Sequence, residues 1–379
     1  MSTYYFQLGN TPQLSVLELE YLTKNKLEPV SNQLYSLKTE DEIDITALQR
    51  ESGGLVKTYQ WLANIETTSP SEIESRIVEY LANQTGKVIF SVTNLSYEKI
   101  EIDDLAAIKK QLTAQDVKSR YLDSGKRGLT AAVLSHQKVH ELVIIKDQEQ
   151  LILAKTVSIQ DIDDWTKRDR HKPYADRKKG MLPPKVARMM VNIAKNLFES
   201  NKYPNIHDPF CGSGTILMEA LMMGCSASGS DLDVNSVRGS EDNLGWLIDE
   251  YKLDKKIPPL YLLDAAQPLP TSTANKINAI VTEPFMGKPR PQERELKNIF
   301  KGLYRTYLGA FKNWTKILRP GGIVVIIFPL VETENQTYDL NKLIDKLSQL
   351  GYTTMSQPVT YSRPQAIVKR QLHFLRYKG

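Results

Sequence analysis

The run Asp208-Pro209-Phe210-Cys211-Gly212-Ser213-Gly214-Thr215 carries the sharpest chemical signal in the chain. Its glycines let the backbone turn tightly and approach a ligand, and the amides that open the following helix are available as donors. The turn suits a nucleotide-like ligand; a glycine turn with no ligand is the plainer alternative. An acid also closes the next expected strand, Asp231 in GSD, where a carboxylate can accept from both hydroxyls of a ribose. A dinucleotide oxidoreductase would place glycine where this chain has Leu217, which argues against nicotinamide. Asp264 in YLLDAA stands where a polar side chain would meet an adenine amine, and equally where a helix cap or turn former belongs.

Two clusters of cations offer a different chemistry. Lys118, Arg120, Lys126 and Arg127 lie around SRYLDSGKRGLTAAV, and Arg168, Arg170, Lys172, Lys178 and Lys179 crowd the segment DIDDWTKRDRHKPYADRKKGMLPP. Such runs suit phosphate contacts, and they equally describe a solvated face.

The elements that must position these residues fall into two halves. The first reads as mixed α+β, with a strand at Tyr4 to Leu8 and a helix capped by Asn10 or Thr11 with Pro12 in its first turn. Strands follow at Lys87 to Thr93, Ala131 to Leu134, His140 to Ile145 and Leu151 to Ile159, with helices around Ser71 to Ala82 and Leu105 to Gln115. Apolar periodicity disappears between Asp161 and Pro184, marking a domain boundary. Pro184 then opens a helix whose Val186, Met189, Met190, Ile193 and Leu197 recur at helical spacing.

Beyond it, strands at Asn205 to Pro209, Ser226 to Asp231, Leu260 to Leu263, Ile277 to Thr282 and Gly322 to Phe328 alternate with helices. The helices are Gly214 to Met223, Val234 to Tyr251, Glu293 to Leu318 and Tyr338 to Leu350. Alternation of this kind predicts a parallel sheet covered on both faces. The tail departs from it: Thr353 to Tyr361 and Ala366 to Tyr377 read as an antiparallel pair joined by SRPQ.

Composition sets the bounds. With 379 residues, 41% hydrophobic and 25% charged, the chain is an ordinary globular protein of two or three domains. Cys211 and Cys225 are too few for a disulfide framework and lack zinc-site spacing, so a reducing compartment and no metal are expected. The N-terminus has no basic region before an apolar run, and no stretch is long enough to cross a bilayer, so the expected location is cytoplasmic. The net charge of +5 is too small to prove a polyanionic partner by itself.

In order, DPFCGSGT, GSD and LLDA resemble the successive S-adenosylmethionine motifs of class I methyltransferases. That resemblance implies a Rossmann-like parallel sheet ending in an antiparallel hairpin. It puts Asp208, Phe210, Gly212, Gly214 and Thr215 in the cofactor turn, Asp231 on the ribose and Asp264 near adenine. The fourth strand ends Thr282-Glu283-Pro284-Phe285-Met286-Gly287, where amino-methyltransferases carry Asp/Asn-Pro-Pro-Tyr/Phe. An exocyclic amine is a poor nucleophile because its lone pair is delocalised into the ring. A side-chain oxygen and a proline carbonyl must hold it, while an aromatic ring stacks on the base.

Two registers fit. In one, Pro284 and Phe285 match the second proline and the aromatic, and Thr282 takes the acceptor position; in the other, Gly287 anchors the match, Glu283 is the acceptor and Met286 replaces the aromatic. The favoured reading keeps Glu283 as acceptor and Phe285 as stacking ring at shortened spacing.

The segments FSVTNLS, SRYLDSGKRGLTAAVLSHQKV and AKTVSIQDIDDWTKRDRHKPYADRKKGMLPPKVARMMVNIA, with the closing YSRPQAIVKRQ, resemble the THUMP domain and linker of tRNA guanosine 2-amino methyltransferases. The resemblance covers most of the chain and is loosest over about the first eighty residues. It implies a ferredoxin-like plus THUMP RNA-binding region over 1–164, a basic linker over 165–183 and a methyltransferase domain over 184–379. The implied reaction is methylation of the 2-amino group of a guanosine in tRNA, at position 10. An amino-methyltransferase for adenine or cytosine in ribosomal RNA or DNA is the competing enzyme, and a noncatalytic tRNA-binding protein that keeps the cofactor site is the competitor of another class.

Overall fold

The computed structural model describes every residue except 67–68, 97–104, 124–127, 177–180, 199–202, 270–275 and 363–365. The chain forms two compact units, Met1–Ile162 and Asp163–Gly379.

The first unit is α+β. Its elements are β1 (Ser2–Leu8), α1 (Pro12–Thr23), β2 (Glu28–Ser31), β3 (Leu34–Thr39), α2 (Ile45–Glu51), β4 (Leu55–Ile65), α3 (Pro70–Ala82), β5 (Val88–Asn94), α4 (Leu105–Ala114), β6 (Ser119–Tyr121), α5 (Ala131–Gln137), β7 (His140–Asp147) and β8 (Gln150–Ile159). The strands form one sheet in the order β2-β3-β1-β4-β8-β7-β5-β6. Most pairs are antiparallel, but β5 runs parallel to both β6 and β7.

One expectation for this unit is corrected. Ala131 to Leu134 is not a strand but the start of α5. A run of four apolar residues has no period of its own, and here extended Thr130 precedes the good helix formers Ala131, Ala132 and Leu134. Left-handed Lys138 then stops the helix. The elements between residues 28 and 65 were not anticipated, because Pro29 and short polar-flanked runs blur their alternation.

A buried ion pair sits under the segment that precedes α5. Glu141 on β7 accepts from Lys57 Nζ at 2.8 and 2.9 Å, from Thr156 Oγ1 at 2.6 Å and from the Leu129 amide at 2.8 Å. Gly128 has φ +75°, and a Cβ there would lie 2.6 Å from Glu141 Oε1. Glu141 therefore ties down the chain directly after residues 124–127.

The second unit is α/β. It holds α6 (Ile162–Thr166), a single π turn at Lys167–His171, α7 (Pro184–Leu197), β9 (Asn205–Asp208), α8 (Thr215–Met222), β10 (Ser226–Asp231), α9 (Val234–Glu250), β11 (Leu260–Leu262), β12 (Ile277–Thr282), α10 (Glu293–Trp314), β13 (Leu318–Glu332), β14 (Thr337–Tyr338), α11 (Asn341–Ser348), β15 (Tyr352–Thr354), β16 (Val359–Tyr361) and β17 (Lys369–Tyr377). The sheet runs β11-β10-β9-β12-β13-β17-β15, parallel from β11 to β13. Strand β17 reverses direction and pairs antiparallel with β13, β15 and β16. The fold is therefore Rossmann-like with an antiparallel end.

Continuous burial from Ile323 to Val331 reflects a central strand covered on both faces, with Leu303, Tyr307, Phe311 and Trp314 of α10 packed against it. The tail strand expected at Thr353 to Tyr361 is split in two around Pro358, which has no amide to give to a ladder. Most of the SRPQ connection lies outside the described residues. Among the described residues, no helix is long and apolar enough to cross a membrane.

Glu141→Ala should cost about 3–5 kcal/mol in denaturant unfolding, because it strands Lys57 as an unpaired buried charge. Glu79→Ala, which removes only the exposed pair with Arg76, should leave the midpoint nearly unchanged.

Candidate active site

The carboxyl ends of the parallel strands gather the site. This is where an open α/β sheet leaves loops free to bind, because its faces are already covered by helices. Asp208 ends β9, and the chain then turns through Gly212 at φ +53° and Gly214 at φ +76° into α8. At Gly214 the conformation requires glycine twice over: φ is positive, and a Cβ would come within 3.1 Å of Ser240 Oγ. Two polar residues of α9 hold the turn. Ser240 Oγ donates to the Gly212 carbonyl at 2.8 Å, and Asn243 Nδ2 donates to the Ser213 carbonyl at 2.8 Å. Sequence reasoning missed both residues, and the signal available was a pair of polar residues one helical turn apart on a helix that must face the sheet.

Asp231 ends β10 beside this turn. Its Oδ2 accepts from the Gly212 amide at 2.9 Å and its Oδ1 from the Asp233 amide at 3.0 Å. One amide on each oxygen orients the carboxylate and leaves acceptor capacity on both. Leu232, the next residue, is 73% exposed, an apolar surface beside a polar acceptor that sequence reasoning did not single out. Asp264 follows β11, is exposed, and accepts from the Ala266 amide at 2.9 Å, which is the turn-forming role. Thr215, at the start of α8, is buried and accepts from Lys172 Nζ at 3.0 Å. Phe210 packs partly buried against the large core cluster.

Asp208 is buried, with Oδ1 accepting from Thr282 Oγ1 at 2.6 Å and from the Phe210 amide at 3.1 Å. Burial pushes its carboxyl up to about 7, against the lowering effect of those two bonds, and nearby Asp231 and Glu283 add to the rise. Among the described residues no cation neutralises it. The Cys211 thiol is likewise raised by burial and acts as packing.

At the end of β12 the residues diverge. Thr282 is buried and turned toward Asp208, so in this geometry its hydroxyl is occupied and does not face a substrate. Pro284 is buried. Glu283 accepts from Arg370 Nε at 2.6 Å, with about one-seventh of each side chain exposed. Phe285 is 69% exposed, while its carbonyl is held by Tyr307 Oη at 2.7 Å. Arg370 and Tyr307 were not among the candidates. Arg370 lies within the YSRPQAIVKRQ segment that carried the resemblance, but nothing in its spacing indicated a partner 87 residues away.

The basic segment before α7 needs correction. Arg168 is 2% exposed, donating to Glu219 at 2.8 Å and also paired with Asp164. Burial alone would lower its pKa, but the carboxylates of Glu219 and Asp164 hold it above its ordinary value. Arg188 Nη2 reaches the other oxygen of Glu219 at 2.6 Å. Lys172 is also buried, which lowers its pKa, and its ammonium is spent on Thr215. Neither Arg168 nor Lys172 is open to RNA phosphate: Arg168 is a desolvated cation matched by Glu219 and Asp164, and Lys172 is buried against Thr215. Arg170, Lys118 and Arg120 are exposed, the last donating to Gln137 at 2.6 Å. Lys126, Arg127, Lys178 and Lys179 lie outside the described residues.

A parallel sheet with a reversed terminal strand, a glycine turn at the end of β9 and an acid at the end of β10 define the class I methyltransferase fold. The family model described as UPF0020, RMKL-like, methyltransferase domain matches residues 172–346. The tRNA (guanine(10)-N2)-dimethyltransferase of Methanocaldococcus jannaschii is 25% identical over 250 residues, covering 63% of this chain and 66% of that protein. Its namesake from Methanothermobacter thermautotrophicus is 32% identical over 169 residues, covering 44% and 42%. A probable tRNA (guanine(10)-N2)-dimethyltransferase of Methanothermococcus thermolithotrophicus is 30% identical over 122 residues, covering 31% of this chain and 70% of that protein. The chain belongs to this family. It spans just under two thirds of the length of the first relative and under half of the second.

Among solved structures, TrmN from Thermus thermophilus superposes with a TM-score of 0.55 at 13% identity, covering all of both chains. A possible methylase from Clostridium difficile 630 gives 0.53 at 12% identity, covering 100% of this chain and 98% of that one. These two likenesses concern the fold.

The residues fit S-adenosylmethionine. The open glycine turn admits a close ligand, Asp231 has acceptor capacity to spare, and buried Asp208 has, among the described residues, no cation of the kind an amino-acid ammonium would supply. Two expectations follow. Asp231→Ala should weaken S-adenosylmethionine binding by about 1.5–3 kcal/mol in calorimetry while the fold is kept. Asp208 keeps its proton in the folded protein up to about pH 7 but loses it near 3.8 when unfolded, so the ligand-free protein should lose stability as pH rises through that window. Cofactor binding near pH 6 should accordingly release a proton, measured as a dependence of binding enthalpy on buffer ionisation enthalpy, and Asp208→Asn should abolish the release.

Proposed function

We infer that this chain methylates the exocyclic 2-amino group of a guanosine in tRNA, at position 10, with S-adenosylmethionine as donor. The observation that carries this reading is the end of β12, where the Glu283 carboxylate and the exposed Phe285 ring stand two residues apart, beside the turn that follows Asp208. When bound, S-adenosylmethionine supplies an electrophilic methyl group on a sulfonium.

The chain's own residues do the rest by position. Gly212 and Gly214 leave room for the ligand, Asp231 accepts from the ribose hydroxyls, and Asp264 and exposed Leu232 flank the adenine. Phe285 stacks on the flipped base, which must leave its helix for the amine to be reached. Glu283 and the main-chain carbonyl of Pro284 accept from the amine and orient its nitrogen. No strong base is needed, because the amine loses its proton only after it has become cationic.

The family named for tRNA (guanine(10)-N2) dimethylation supports the substrate, and the first unit supports RNA binding through exposed Lys118 and Arg120 together with Lys126 and Arg127. We read that unit as the ferredoxin-like and THUMP region of a cytoplasmic enzyme, with Arg170, Lys178 and Lys179 adding phosphate contacts.

Nucleoside mass spectrometry of tRNA incubated with the protein and labelled S-adenosylmethionine, with the modified position mapped, tests the whole reading; absence of N2-methylguanosine would overturn it. Glu283→Ala should lower single-turnover methyl transfer about 100-fold or more with cofactor affinity unchanged. Phe285→Ala should also weaken apparent tRNA affinity, by about 1–3 kcal/mol of lost stacking. If Thr282→Ala or Met286→Ala is the damaging change instead, the loop operates in the other register.

A further inference from the structure

The ion pair between Glu283 and Arg370 crosses three strands of the sheet, and its geometry addresses which base the site takes. Thr282 pairs with Ile326 on β13, and Ile326 pairs with His373 on β17. Arg370 lies three residues along β17, opposite Pro329, level with the loop that leaves β12. There its Nε donates to Glu283 Oε1 at 2.6 Å, and its guanidinium rests 5.9 Å from the centre of the Tyr361 ring. Among the described residues, no donor occupies Glu283 Oε2 and no acceptor occupies either Nη of Arg370. Both side chains are mostly buried yet retain an exposed edge.

Acceptor and donor are thus fixed side by side next to an exposed stacking ring. Guanine presents, in order along one edge, the 2-amino donor, the N1–H donor and the O6 acceptor. Adenine and cytosine each present an acceptor directly beside their amine. An ionised carboxylate offers acceptors only, and a guanidinium donors only. A carboxylate that meets the amine and its neighbour therefore accepts guanine and repels the other two, and a guanidinium beside it meets O6.

Resting on the function inferred above, we propose that Glu283 and Arg370 form a composite guanine reader, in which Glu283 accepts from the 2-amino group and N1–H while Arg370 donates to O6. Arg370 also restrains the longer Glu283 side chain through that bond, so it is a specificity and positioning residue for the same reaction. A lysine would not replace it, because a single ammonium cannot hold the carboxylate through Nε and still present a planar fork to the base.

The test uses full-length protein and two ligated tRNAs, one with guanosine and one with 2,6-diaminopurine at the mapped target. The analogue keeps the 2-amino group but carries an acceptor at N1 and an amine in place of O6. Wild type should prefer guanosine by about 100-fold or more in kcat/KM, since the analogue leaves buried polar groups opposed or unpaired. Arg370→Met should reduce that preference by about tenfold or more, lowering the guanosine rate more than the analogue rate. Glu283→Gln, which turns one acceptor into a donor suited to the analogue's N1, should narrow the preference independently, so the proposal does not hang on one variant folding. Calorimetric cofactor binding confirms that each variant is intact.

If every folded variant slows both substrates by one common factor, Arg370 is only a structural tie and the proposal falls while guanine methylation stands. If the wild type methylates adenosine or cytidine in tRNA and not guanosine, the functional reading fails first, and the reader with it.

Discussion

The hydrogen bond from Thr282 Oγ1 to Asp208 Oδ1, 2.6 Å long, joins the two loops on which the site depends. Strands β9 and β12 are parallel neighbours, so their carboxyl ends emerge side by side, but adjacency alone does not set the loops' relative height. The Thr282 bond does. It holds the end of β12 against the start of the glycine turn inside a dry interior, where leaving either partner unpaired would cost about 1–3 kcal/mol. Because Thr282 points inward, its neighbour Glu283 leaves toward the open side, and the Phe285 ring follows it out. On the proposed reading, one buried bond spaces the methyl donor from the amine that receives it.

Charge is distributed around that bond in two ways. Elsewhere in the second unit buried charges are matched: Arg168 and Arg188 share Glu219. On the ligand side the matching is incomplete: burial pushes the Asp208 carboxyl up to about 7, with no cation beside it among the described residues, and Asp231 uses one amide per oxygen. Matched pairs stabilise a single packing; partly matched groups are where a charged ligand gains most by binding. That contrast separates site from scaffold more cleanly than exposure does, since Asp208 is among the most buried side chains in the unit.

Much of this was legible in the sequence, for physical reasons. Glycines between an acid-ended strand and a helix announce a tight turn, so DPFCGSGT pointed to the turn found between β9 and α8. Strictly alternating strands and helices after Pro184 fixed the parallel sheet, and the change of pattern at the tail announced its antiparallel end. What stayed hidden depended on long-range pairing. Arg168 and Lys172 read as RNA-phosphate contacts, with a solvated face as the alternative, until Glu219 and Thr215, more than forty residues away, were seen to enclose them. Ala131 to Leu134 was too short for periodicity to separate strand from helix. Arg370 could not be attached to Glu283 without the β13 and β17 register, which lies in the ladder and not in local spacing.

The departure of the β12 loop from Asp-Pro-Pro-Tyr becomes intelligible once that register is known. Glutamate is longer than aspartate by one methylene and carries more rotamer freedom to lose when it is ordered. Left alone at the mouth of a site, it would sample several positions, and an acceptor that wanders is poor at orienting an amine. The guanidinium delivered by β17 limits that freedom through a charge-assisted bond, and the sheet that carries Arg370 is the same sheet that carries β12, so the two move together. Shortened spacing in the loop is thereby offset by support from an element nearly ninety residues downstream. A motif read only along the chain looks degraded here; read across the sheet, the acceptor of the proposed reading has gained a partner.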